Sequence, residues 1–250
     1  MFRRILTSLA VLTGLFAVSA VIAMTVQPVV VDLKMVGREA SAPIRVENNG
    51  PTPLPVEVRI VETEFTADSV GASDRVSEDV VAFPPQAIIP PGETQVFRLQ
   101  YLGEQSEKSR HYYAEVSQLP VELPEGQSAI QILYNFQVMV NVASALASPP
   151  ALTIENPAIV QNAEGKNVIA FTVKNTGTNY GYLSTGRVTF IHRDASGRET
   201  LRRVLSSNDI QQMIGFGLIG PETSRRFVSP IEVESAGGVA EVQFAAGRGR

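Results

Sequence analysis

The run 130-IQILYNFQVMVNV-142 constrains this chain more than any other segment. Its apolar residues occupy every second position from Ile130 to Val142, and the residues between them are mostly amides or soft side chains. Alternation with a period of two belongs to a β-strand with one buried face. Thirteen residues in that conformation reach roughly 43 Å, whereas a strand in a globular protein usually holds about 5–6 residues. A chain with such a segment is expected to be built of sheets and to have a use for a strand longer than one sandwich needs.

The rest of the chain carries the same signature in shorter pieces. Alternation recurs at Ile44/Val46, at Val56/Val58/Ile60 after an Asn-Asn-Gly-Pro turn, and at Phe97/Leu99/Tyr101 after Pro-Pro-Gly. Strands are also expected around Val26–Val31, at 111–123, at Leu152/Ile154, and over 168–174 and 186–192. Two more fall over 225–234 and 239–244. Asn-Thr-Gly and Asp-Ala-Ser-Gly turns lie between those of the second half. Short strands punctuated by turns at this spacing predict β-sandwiches. Residues 66–82, small and acidic, are predicted as a loop, as are 103–110. Only 201–214 offers a helical turn. The piece 143-ASALASPP-150 has the composition of a linker. The expected organisation is a signal segment (1–23), a first sandwich (24–143), a linker (144–150) and a second sandwich (151–250).

Arg3 and Arg4 precede an apolar stretch that closes on small residues at Ala20 and Ala23. That pattern predicts a secretory signal peptide cut after Ala23 or Ala20, although the apolar run approaches membrane-spanning length. Cleavage removes two arginines and no acid, taking the formal charge from −4 to −6. An acidic chain without a basic cluster gives no support for nucleic-acid binding. The chain has no cysteine, so there is no disulfide framework, and packed apolar cores must hold the exported protein.

Signs of catalysis are sparse. His111 and His192 are the only histidines and lack metal-site spacing. No carboxylate pair stands out, and neither an enzyme nor a cofactor is expected. The run 215-GFGLIG-220 spells G-x-G-x-x-G, but Pro221 and a polar turn follow it. A dinucleotide fingerprint needs a strand before it and a helix opening on it, so the run is read as a turn.

Several landmarks, taken in order, resemble the periplasmic pilus-assembly chaperones of chaperone–usher systems. They are 27-QPVVVDL-33, the hairpin 44-IRVENNGPTPLPVEVRI-60, 83-FPPQAIIPPGETQVFRL-99 and 112-YYAEVSQLP-120. The second half adds 171-FTVKNTGTNYGYL-183 and 220-GPETSRRFVSP-230. The proline-first form is closer to the archaic, spore-coat-type branch. The resemblance implies an all-β protein of two immunoglobulin-like sandwiches set at an angle, with a cleft between them. It further implies a periplasmic location, a pilin-like secreted subunit as client, an outer-membrane usher as second partner, and no stable membrane insertion once the signal is removed. In this family the last strand of the first sandwich is donated to the client, and Ile130, Ile132, Tyr134 and Phe136 fall on the donor positions. The family commonly anchors the client's terminal carboxylate with a basic pair. Those positions align with Val30 and Met139, neither of which can pair with a carboxylate. Lys34, Arg38 and Arg98 are the nearby substitutes. The alternative reading is a two-domain immunoglobulin-like secreted or surface adhesion or structural protein that has no client subunits.

Overall fold

A computed structural model of the chain describes residues 24–120 and 133–247. The expected signal segment (1–23), Ile130 and Ile132 lie outside the described residues.

The first half contains β1 (Met24–Gln27), β2 (Val30–Lys34), β3 (Ser41–Asn48), β4 (Leu54–Phe65), β5 (Val70–Val76), β6 (Val80–Phe83), β7 (Gln86–Ile89), β8 (Thr94–Tyr101), β9 (Arg110–Gln118) and β10 (Asn135–Ala143). They form two facing sheets, one in the order β1-β3-β8-β6 and the other β2-β10-β9-β4-β5, with β7 also on β4. The chain changes sheets between β1 and β2 at Pro28, a residue without an N–H for either ladder. The alternating residues do what their period requires: Ile44, Val46, Phe97 and Leu99 from one sheet meet Val56, Val58, Val138, Val140 and Val142 from the other in a single core.

Strand β9 breaks the alternation, and the structure gives the reason. Six consecutive residues, His111–Val116, are buried. Tyr112, Ala114 and Val116 enter the core, while His111, Tyr113 and Glu115 face the other way. A strand covered on both faces has no solvent side to alternate with.

The second half contains β11 (Leu152–Gln161), β12 (Asn167–Asn175), β13 (Gly181–Tyr182), β14 (Gly186–Arg193), β15 (Glu199–Leu205), α1 (Ser207–Met213), β16 (Leu218–Ile219), β17 (Ser224–Glu232) and β18 (Val239–Ala246). The sheets run β11-β12-β17 and β15-β14-β18, with a small β13-β16 ribbon. Phe171 lies 5.6 Å edge-on from Phe190 and 5.6 Å stacked from Phe227 at the centre of the second core. The protein is thus two immunoglobulin-like β-sandwiches, each with its own core.

Two local expectations change. Residues 66–82 are not all loop: they hold β5 and the start of β6, at opposite sheet margins, where few apolar residues are needed. The 201–214 segment divides into the end of β15 and helix α1. The helix starts at a capping box in which Ser206 Oγ accepts from the Asp209 amide and Asp209 accepts from the Ser206 amide. The glycine-rich run, expected as a turn, follows that helix. Gly215 and Gly217, at φ 91° and 65°, make the left-handed turn into β16.

The two halves share one device. Asn48 is buried, donates through Nδ2 to the carbonyls of Thr52 and Ile89 at 2.8 Å each, and accepts from the Gly50 amide at 2.9 Å. Asn175 repeats this in the second sandwich, donating to Asn179 O (2.7 Å) and Gly220 O (3.0 Å) and accepting from the Gly177 and Ala151 amides at 3.0 Å each. Each side chain pins an Asn-x-Gly turn to a strand or loop far along the chain. Alanine at either position would leave buried carbonyls unpaired, at a cost of about 2–4 kcal/mol. Urea titrations of Asn48→Ala and Asn175→Ala should show unfolding free energies lowered by that amount; losses under about 0.5 kcal/mol would show that the turns hold without the clamp.

Candidate functional site

Two features of β10 define the site, and both follow from register. Strand β10 pairs with β9 along Asn135–Val142, but with β2 only over Met139–Ala143. Tyr134 O accepts from the Gln118 amide, so even-numbered residues of β10 turn their peptide groups toward β9. Odd-numbered ones turn away, and the first of these met by the neighbouring segment is Met139, whose N–H donates to Val29 O at 3.0 Å. The amides of Asn135 and Gln137 therefore point to an edge that β2 does not cover. On the core side of this segment Tyr134 and Phe136 are partly buried, packed against the margin of the first core. The strand begins at Asn135, so Leu133 and Tyr134 precede it, with Leu133 exposed.

The face of this sheet that looks away from its own core is organised in rows. Arg59, Glu115 and Gln137 are cross-strand neighbours, with Arg59 donating to Glu115 from Nε (3.1 Å) and Nη2 (2.7 Å) and Gln137 donating to Glu115 at 3.2 Å. The next row is apolar or aromatic: Val61, Tyr113, Met139 and Val30. Val30 and Met139, the two aligned anchor positions, are direct partners in the ladder.

The third row is His111, Asn141 and Asp32, and here the second sandwich arrives. Tyr182 and Tyr180 donate to Asp32 Oδ1 at 2.6 and 2.9 Å, and Asn141 Nδ2 donates to the Tyr182 hydroxyl at 2.6 Å. His111 Nδ1 donates to Asn141 Oδ1 at 2.7 Å, leaving Nε2 to accept from Ser109 at 3.1 Å. The imidazole also stands edge-on to Phe65 and Tyr180, with centroids 5.1 and 5.3 Å away. Burial, and then the Asp32 charge, raise the pKa of both phenols above the ordinary tyrosine range, so they remain donors. Burial pushes the His111 pKa down to about 4, against a smaller opposing pull from Asn141 and Asp32.

Further bonds close the joint. Ser109 N donates to Thr178 O (3.0 Å) and Arg226 N to Ala67 O (2.7 Å), while Lys108 pairs with Glu222. Arg225 reaches over the Phe227 ring at 4.8 Å and donates to Leu218 O at 3.3 Å. It makes no ion pair among the described residues. The substitute anchors lie elsewhere: Lys34 is paired with Glu39, Arg38 is in a 3₁₀ turn, and Arg98 sits on β8 of the opposite sheet, donating to Ser41 at 3.0 Å. His192 is a core residue, held by Thr200 at 2.7 Å and Gly237 O at 3.0 Å. Among the described residues there is no metal-site cluster of three His, Cys, Asp or Glu side chains, and no helix long and apolar enough to cross a membrane.

No protein-family model matches the chain, and no curated protein matches it in sequence. Solved structures do match. A chain of the CsuC–CsuE chaperone–tip adhesion subunit pre-assembly complex, from the archaic chaperone-usher Csu pili of Acinetobacter baumannii, is 14% identical with a TM-score of 0.51, covering 88% of this chain and 97% of that one. The YadV chaperone is 17% identical with a TM-score of 0.51, over 89% and 92% of the two chains. A chain of the Salmonella enterica SafA pilin–SafB chaperone complex is 11% identical with a TM-score of 0.51, over 89% and 95%. The protein has the two-domain fold of the YadV chaperone. Within that chaperone fold, the Asp32, Tyr180 and Tyr182 contacts went unread in the sequence, because their partners are about 150 positions apart. The nearest sequence signal is the amide Asn141 inside an otherwise apolar strand end.

The buried His111 makes the joint sensitive to acid. Its folded pKa, about 4, lies below the unfolded 6.5. The unfolded chain therefore binds the proton first, and stability that is full above pH 6.5 is lost as pH falls toward 4. The linkage amounts to at most about 3 kcal/mol. Denaturant titrations from pH 7 to 4 should show a steeper loss for the wild type than for His111→Gln; parallel curves would remove His111 from the account.

Proposed function

We propose that the chain is a periplasmic chaperone that binds pilus-type subunits by strand donation and delivers them to an outer-membrane usher. The observation that carries this reading is the half-covered edge of β10. From Met139 onward the strand is locked into its own sheet on both sides, while from Asn135 to Val138 it is paired, among the described residues, with β9 alone. A free strand edge is a template for another chain. An added strand there gains main-chain hydrogen bonds for affinity and side-chain pockets for specificity.

The side chains suit that use. Tyr134 and Phe136 sit at the sandwich margin and not at its centre, so a client sandwich that lacks a strand can take up their exposed parts. Ile130 and Ile132 continue the same alternation toward the N-terminus. Burying each of these residues in a client contributes about 1.5–3 kcal/mol. The solved structures support the reading by their fold.

The aligned anchor pair, Val30 and Met139, forms an apolar contact line where a basic pair is common in the family. We infer that strand pairing and the alternating side chains carry most of the client affinity here.

Periplasmic co-expression with a candidate subunit tests the reading. Tyr134→Asp and Ile132→Asp should each lower the amount of soluble subunit recovered by about tenfold or more, while the chaperone's own thermal midpoint stays within a few degrees. Variants that remain folded and protect the subunit as well as wild type would refute strand donation.

A further inference from the structure

Asp32 stands one row along from the aligned anchor positions. Its three hydrogen bonds, from Tyr180, Tyr182 and the longer contact with Asn141 at 3.5 Å, all end on Oδ1. Among the described residues Oδ2 has no hydrogen-bond partner, and Asp32 takes part in no ion pair. The residue is exposed. None of the groups that position this carboxylate is a cation.

The surroundings are selective. Asp32 lines a cavity of about 360 Å³ between the two sandwiches. Pro28, Val29 and Val30 form one wall, and Tyr182 and Phe216 contribute from the second sandwich. Among the described residues Asp32 is the only charged one lining it. The two rings stand 6.1 Å apart, centroid to centroid, tilted by 56°. An apolar wall accommodates the methylene stem of a long basic side chain, an aromatic face favours its charged head, and the unpaired oxygen completes an ion pair. An incoming carboxylate meets none of these: it would be repelled by Asp32 and find no cation in the lining.

We propose that Asp32 is a docking point for a lysine or arginine side chain of a partner polypeptide lying along β2. The proposal does not rest on strand donation by β10; it concerns the opposite side of the β2 register and would hold for any partner seated in the cavity. It assigns the partner a cationic side chain next to the segment that faces Val29 and Val30.

A merely structural Asp32, present to tie Tyr180 and Tyr182 to the first sandwich, predicts a different result. Isotope-labelled protein is titrated at low ionic strength with the capped peptide acetyl-Gly-Arg-Gly-amide and with its citrulline counterpart, which keeps the shape and loses the charge. Saturable shifts of the Val30, Asp32 and Tyr182 amides are expected with arginine, and binding of the citrulline peptide should be weaker by at least about fivefold. Asp32→Asn retains an oxygen that can accept from both tyrosines and should lower arginine-peptide affinity by a similar factor. Equal binding of the two peptides to wild type, or arginine-peptide binding unchanged in Asp32→Asn, would overturn the proposal, as would the absence of shifts at these amides at millimolar peptide. The citrulline comparison uses wild type alone, so it decides the matter even where Asp32→Asn is less stable.

Discussion

The unequal edges of β10 are the constraint on which the rest depends. One edge is bonded to β9 throughout, and the other is bonded to β2 only from Met139. One face supplies Val138, Val140 and Val142 to the first core, and the other supplies Met139 and Asn141 to the surface where the second sandwich docks. A single strand therefore holds a core, carries a joint and, among the described residues, keeps an unpaired stretch of edge. Its C-terminal half cannot move without disturbing the first two. Its N-terminal half still packs Tyr134, Phe136 and Val138 against the first core, but it is not part of the β2 ladder.

That division explains the polar joint between the sandwiches. Apolar packing alone would set the second sandwich against the first without a defined register. The chain Ser109–His111–Asn141–Tyr182–Asp32–Tyr180 has direction, since each donor in it points to a defined acceptor and the Tyr182 hydroxyl both accepts from Asn141 and donates to Asp32. Buried polar groups are costly unless paired, so a rotated arrangement leaves several unpaired at once. The joint fixes where the open edge of β10 lies relative to the second sandwich, and it places the Asp32 carboxylate beside the cavity.

Much of the fold was legible in the sequence because its causes are local. Period-two alternation marked β3, β4, β8 and β10, and both Asn-x-Gly turns were visible, although the buried clamps of Asn48 and Asn175 show only in space. What escaped reading has non-local causes. Strand β9 does not alternate because the second sandwich covers its outer face. Strands β5 and β6 lie at sheet margins and need little apolar content. Asp32 reads as an ordinary exposed position on a short strand until Tyr180 and Tyr182 are brought to it. The helix α1 did leave a local mark, Ser206 followed three residues later by Asp209. Val30 and Met139, which the sequence aligned separately, are partners in one ladder, and both side chains are apolar.

The central claim is that β10 is one strand with two fates, divided at Met139. Amide hydrogen exchange measured residue by residue, with and without a co-purified subunit, tests it most directly. In the free protein the amides of Asn135 and Gln137 should exchange far faster than those of Met139 and Asn141, and subunit binding should slow the first pair while leaving the second unchanged. Equal protection of all four in the free protein, or a bound subunit that leaves Asn135 and Gln137 as fast as before, would contradict the account.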